Sequence, residues 1–149
     1  MSQKEWHKFF NDKNFRYNLE SKNITLNSFN LAKIIYPGLT KKKFQKITKF
    51  IKQKLNIKKN DKLLDFGSGN GAFIIFFRNK VKNLYSLEIS KPLINFQKKN
   101  FGKIKYIITN PYNVNFFGKI KNNEIDITIS NSVFQYFYTE KYCKWTLWQ

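Results

Sequence analysis

The chain has a single cysteine, Cys143, in 149 residues. One thiol cannot form an internal disulfide, and without paired Cys and His at metal-ligand spacing it does not build a zinc site. Long apolar runs are missing too. None approaches the roughly 18 residues that cross a bilayer. The opening MSQKEWHKFF lacks the apolar stretch and small-residue cleavage site of a signal peptide. The expectation is a cytoplasmic protein with no metal and no membrane partner. Acidic residues are scarce, 9 against 28 Lys and Arg, for a formal net charge of +19. Arginine is nearly absent: only Arg16 and Arg78 occur. Clustered cations neutralise phosphates, so the charge invites a nucleic-acid reading. Base readout and bidentate phosphate contacts favour the guanidinium fork, however, and the lysines are scattered from Lys4 to Lys144. Their company of Asn, Ile and Phe points to a general compositional bias, so a small-molecule partner is preferred.

What is present is enough to fold. Hydrophobic residues make up 42% of the chain, with 16 Phe, 8 Tyr and 3 Trp, too much apolar material for a disordered chain. The length supports one core and one domain over 1–149. There is no internal repeat, linker or low-complexity segment beyond the lysine enrichment.

Residues 3–18 place Trp6, Phe9 and Phe10 at helical spacing, and 28–36 offer Phe29, Leu31, Ile34 and Ile35 before Pro37 and Gly38. From Thr40, KKKFQKITKFIKQKL sets Phe44, Ile47, Ile51 and Leu55 on one face with lysines opposite, an amphipathic helix with a solvated lysine side. These segments, 1–57, are expected as covering helices. Beyond them KLLDF, glycines and GAFIIFF read as strand, tight loop and helix. NLYSLE reads as a second strand, and Ser90 with Pro92 opens the helix PLINFQKKN. IKYII makes a third strand ending at Asn110, and IDITI a fourth. Strands alternating with helices imply a parallel sheet.

In DFGSGNG, Gly67, Gly69 and Gly71 remove side chains where the backbone turns sharply against a ligand, and the following helix offers its N-terminal amides. A nucleotide-like cofactor is the natural occupant. GSGNGA also satisfies the looser GxGxxA dinucleotide pattern, with Glu88 where a ribose-binding acid belongs. Asp65 discriminates. A carboxylate at the strand end repels a pyrophosphate but pairs with an amino-acid ammonium.

Leu63 to Gly71, LLDFGSGNG, has the form hhDhGxGxG, and the chain resembles the class I S-adenosylmethionine-dependent methyltransferases on that motif. The resemblance implies an α/β, Rossmann-like three-layer αβα sandwich with a mainly parallel sheet. It also implies S-adenosyl-L-methionine as cofactor and methyl transfer as activity. It places Asp65, Phe66, Gly67, Ser68, Gly69 and Gly71 around the cofactor, with Glu88 on the ribose hydroxyls and Ile89 beside it. Asn110, followed by Pro111, stands where the family commonly has an Asp holding the adenine amino group, and its amide oxygen accepts the same bond. Asn131 and Ser132 close the fourth strand, where the substrate should approach, and Asn131 is counted with the residues around the cofactor. Because the family continues past its fourth strand, the 58–149 core is expected to be incomplete at its C-terminal end. The acceptor is expected to be a small molecule or sugar. A nucleic-acid methyltransferase, or a non-catalytic cofactor-binding remnant, is the alternative.

The remaining features read more plainly. Asn110–Pro111–Tyr112 resembles the NPPY grip of base-flipping amino methyltransferases, but has one proline too few and follows the third strand. Cys143 sits in a helical TEKYCKW segment, His7 reads as an exposed helix residue, and Phe134, Tyr136 and Phe137 read as core. Displacement from a sulfonium asks the protein mainly to position and desolvate the partners, so no catalytic residue is assigned.

Overall fold

The computed structural model describes residues 26–102, 104–108, 120–121, 124–131 and 133. The segments expected as helices at 3–18 and 139–149, together with His7, Asn110–Tyr112 and Cys143, lie outside them.

Helix α1, Ser28–Ile35, starts where the Asn27 side chain accepts from Asn30 N at 2.9 Å, and gives way just before Pro37. Helix α2, Lys41–Leu55, begins on Thr40, whose hydroxyl accepts from Lys43 N at 3.3 Å, and ends on Asn56 at φ 44°. Its buried stripe differs from the expected one. Phe44 and Thr48 are buried and Ile51 packs on the core, whereas Ile47 is 41% and Leu55 37% exposed. On a 3.6-residue period, Thr48 and Ile51 stay over Phe44 while Ile47 falls to the flank. Thr48 tolerates burial because its hydroxyl donates to Phe44 O (3.0 Å) or Gln45 O (3.2 Å).

Strand β1 (Lys62–Phe66), helix α3 (Ala72–Phe77), β2 (Asn83–Glu88), helix α4 (Lys91–Phe101), β3 (Lys105–Ile108) and β4 (Ile127–Ile129) follow in the expected order. The strands form one parallel sheet, β3-β2-β1-β4, with Asp65 opposite Ser86 and Ile129, and Phe66 opposite Leu87. Alternation sorts the side chains by face. Leu63, Leu84 and Ile129 meet the helices through Leu31, Phe44, Ile74, Phe77, Leu93 and Phe101. Leu64, Phe66, Tyr85, Leu87 and Ile107 form a second cluster on the other face, with Ile120, Ile125 and Val133 against it. This is the expected Rossmann-like α/β architecture. Two of its three layers, the sheet and one helical layer, lie among the described residues.

Parallel strands bring their carboxyl ends to one edge, and the two edges differ chemically. At the amino edge, Asp126 accepts from Lys62 N (2.8 Å) and returns its own N–H to Lys62 O (2.9 Å), fixing where β4 joins β1. Glu124 there accepts from Lys105 and from the Tyr85 hydroxyl. The Lys105 bond first, then the Lys121 N–H on Oε2 (2.9 Å), hold its carboxyl down at about 2. The carboxyl edge carries Asp65 and Glu88. Among the described residues no helix is long and apolar enough to cross a membrane, and no group of three or more His, Cys, Asp or Glu could hold a metal ion.

Candidate functional site

The loop after β1 is built of backbone that leaves no slack. Gly67, Gly69 and Gly71 have φ of 72°, 55° and 82°, a region side-chain-bearing residues avoid. A Cβ on Gly67 would collide with Val133, and one on Gly71 with Phe101. These two glycines therefore answer to packing within the protein. At Gly69 the nearest neighbour of such a Cβ is Ile35 Cδ1, at an ordinary 3.5 Å.

Four amides of the loop, those of Gly67, Ser68, Gly69 and Gly71, are already engaged. Gly67 N and Ser68 N both donate to Leu87 O (2.8 and 3.1 Å), and Gly71 N donates to Ser68 O (2.9 Å). Gly69 N donates to Glu88 Oε2 at 2.8 Å. A phosphate cradle needs such N–H groups pointing at the ligand, so this loop is ill suited to a pyrophosphate.

What lies beneath the loop is a buried carboxyl with one oxygen left unpaired. Asp65 is 2% exposed, and its Oδ2 has no hydrogen-bond partner among the described residues. Burial first, and the charge of Glu88 second, push its carboxyl up to about 8. Glu88, also buried, is raised by desolvation but pulled back by three backbone donors: Gly69 N, with Ile89 N (2.7 Å) and Ser90 N (2.9 Å) on Oε1. Those bonds leave Oε2 one further acceptor position, enough for one ligand hydroxyl. A cationic group entering beside Asp65 would turn the cost of a buried carboxylate into attraction. The orphaned oxygen and the glycine cradle thus fit a ligand that brings an ammonium and no phosphate.

A ring of side chains fixes this loop. Ser86 donates to Gln97 Oε1 (2.8 Å), Gln97 Nε2 donates to Ser68 Oγ (2.8 Å) and to Gly69 O (2.8 Å), and Ser68 closes the ring on Ser86 Oγ (2.7 Å). Each of the three is at most 7% exposed. On the other side Asn70 Nδ2 donates to Leu31 O of α1 at 2.7 Å. Sequence reasoning missed Ser86, Gln97 and Asn70 as loop supports. The available signal was a Gln on the apolar side of PLINFQKKN and a Ser inside NLYSLE.

The other expected positions divide. Phe66 points into the second core cluster and Ile89 packs against it, so toward a ligand they offer backbone. Asn131, beyond β4, donates from Nδ2 to the Tyr36 hydroxyl at 3.2 Å. Asn110 and Pro111 lie outside the described residues.

The fold, with its glycine loop and acidic strand ends, defines the class I S-adenosylmethionine-dependent methyltransferases. Within that class, the profile of the ribosomal RNA adenine dimethylases matches residues 42–140, more than half of the sequence, and the chain belongs to that family. A search of curated proteins finds no match. Among solved structures, the chain is similar to magnesium protoporphyrin IX methyltransferase of Synechocystis PCC 6803 with bound SAM (TM-score 0.61, 12% identity, 97% of this chain and 68% of that one). It is also similar to phosphoethanolamine N-methyltransferase 1 of Haemonchus contortus (0.61, 17%, 99% and 30%). A SAM-dependent methyltransferase from Thiobacillus denitrificans gives 0.51 at 16% identity, covering 89% of this chain and 49% of that one. At such identities the likeness speaks for the fold. The chain spans between 30% and 68% of the length of these three proteins.

Proposed function

We propose that this chain methylates a small molecule with S-adenosyl-L-methionine. The observation that carries the cofactor half is the orphaned Asp65 oxygen beneath a loop whose four amides at Gly67, Ser68, Gly69 and Gly71 are occupied. Asp65 would take the ammonium and Glu88 a ribose hydroxyl, with Asn110 and Pro111 assigned to the adenine on the family resemblance. When bound, S-adenosylmethionine supplies an electrophilic methyl on a sulfonium leaving group. The protein's part is orientation and exclusion of water, through the Ser68–Ser86–Gln97 ring that stiffens the loop and through α1, docked beside it. The small-molecule preference rests on the sequence, whose lysines are scattered and whose arginines number only two. A cytoplasmic setting belongs to this proposal and rests on the sequence alone.

One set of observations favours an RNA acceptor instead. The matching family is named for ribosomal RNA adenine, the net charge is +19, and α2 has seven lysines and no acid. The test is calorimetric titration with S-adenosylhomocysteine and NADH, followed by labelled methyl transfer to separate small-molecule and RNA fractions of an extract. Binding of the first ligand alone, with label in the small-molecule fraction, is expected. Label in RNA selects the second reading, and NADH binding without S-adenosylhomocysteine binding overturns both.

A further inference from the structure

Resting on the cofactor reading above, we propose that the Tyr36 hydroxyl, steadied by Asn131, donates its hydrogen to the carboxylate of the bound cofactor's amino-acid end. Three contacts place Tyr36. Asn70 ties α1 to the glycine loop through Leu31 O at 2.7 Å. Ile35, next to Tyr36, sits over the open side of Gly69. Asn131 Nδ2 reaches the Tyr36 oxygen at 3.2 Å across 95 residues of sequence. The register puts Asp65 opposite Ile129, and Ile129 packs with Leu63 and Leu31 on the helical side. Asp65 and Ile129 therefore share that side, and Asn131, just beyond the strand, reaches Tyr36 from it.

An amide nitrogen only donates, so in this bond the phenol oxygen is the acceptor and its own hydrogen is left for another group. An α-amino acid bears its ammonium and carboxylate on one carbon. If Asp65 receives the ammonium, the carboxylate lies close by, where Asp65 itself repels it. The amides of Gly67, Ser68, Gly69 and Gly71 are all occupied within the protein. Among the described residues, the Tyr36 hydroxyl is a free donor at the α1 side of this edge. Asn131 is then a positioning residue that acts through Tyr36.

Three ligands separate the roles in calorimetric titrations of the full chain. S-adenosylhomocysteine has both charged groups, decarboxylated S-adenosylmethionine keeps the ammonium alone, and methylthioadenosine has neither. Tyr36→Phe should weaken S-adenosylhomocysteine about tenfold or more, as loss of a charge-assisted bond does, and leave the other two within about twofold. Asn131→Ala should show the same selectivity with a smaller loss. Equal losses for all three ligands would mean that Tyr36 merely holds α1 in place, and an unchanged S-adenosylhomocysteine affinity would mean that the carboxylate is bound elsewhere; either overturns the proposal while the cofactor site stands. Failure of the folded wild type to bind any of the three overturns the cofactor reading itself, and the proposal with it.

Discussion

Asp65 is where stability and binding pull against each other. Its folded value of about 8 lies above the ordinary 3.8, so the folded state keeps a proton that the unfolded chain gives up. The stability this proton contributes is complete below about pH 4 and is lost as pH rises through about 8, at up to 1.4 kcal/mol per pH unit. Asp65→Asn removes the titration. The difference in melting temperature between variant and wild type should widen in the variant's favour from pH 5 to pH 8, measured in parallel so that other groups cancel. Ligand binding should show the converse, with wild-type affinity for S-adenosylhomocysteine rising between pH 6 and 8 as the proton becomes easier to displace and the variant's staying flat. Gln97 makes a different point. Gln97→Leu keeps the volume but leaves Ser68, Ser86 and Gly69 O short of partners, at a cost of about 2–3 kcal/mol. Urea unfolding should show that cost, and cofactor affinity should fall with it because the loop loses its tether. Asp65 was legible in the sequence through its place in LLDFGSGNG. Gln97 was not, because partners 28 and 29 residues away leave no local pattern.

Among the elements, the strands of the core read out best. Each is a short apolar run bounded by glycine, asparagine or lysine, and a parallel sheet buried on both faces demands such runs. Helix α2 was placed correctly, but its buried face was not. The sequence pattern prizes apolar residues, so it chose Ile47 over Thr48. The fold chose Thr48, because a threonine that bonds its own helix backbone is compatible with burial. The consequence is measurable. Ile47→Lys, on a residue 41% exposed, should change stability by less than about 0.5 kcal/mol. Ile51→Lys, against the core cluster, should cost well over 1 kcal/mol in the same urea titration. Equal effects would mean that the helix is rotated from the orientation described.

For the whole molecule, the alternation of strands with helices did most of the work. One βαβαβ pattern with parallel strands allows few arrangements, and parallel pairing in the order β3-β2-β1-β4 brings Asp65, Glu88 and Asn131 to a single edge. The net charge of +19 had no place in that reading, yet it acts on every element at once. Lysines are crowded enough to perturb each other: Lys80 is held below its usual range, by burial first and then by Lys52. Self-repulsion of this kind destabilises the compact state. It is relieved when the screening length falls from about 10 Å at 0.1 M salt to about 3 Å at 1 M. The melting temperature should therefore rise with sodium chloride over that range, by roughly 4 °C for each 1 kcal/mol of repulsion removed. Sodium sulfate at matched ionic strength distinguishes the cause. An equal rise means that the charge acts as a diffuse field, consistent with a compositional bias and a small-molecule acceptor. Because sulfate also stabilises by exclusion from the surface, only a rise that saturates at low millimolar sulfate means that lysines converge on an anion site, the behaviour an RNA acceptor requires.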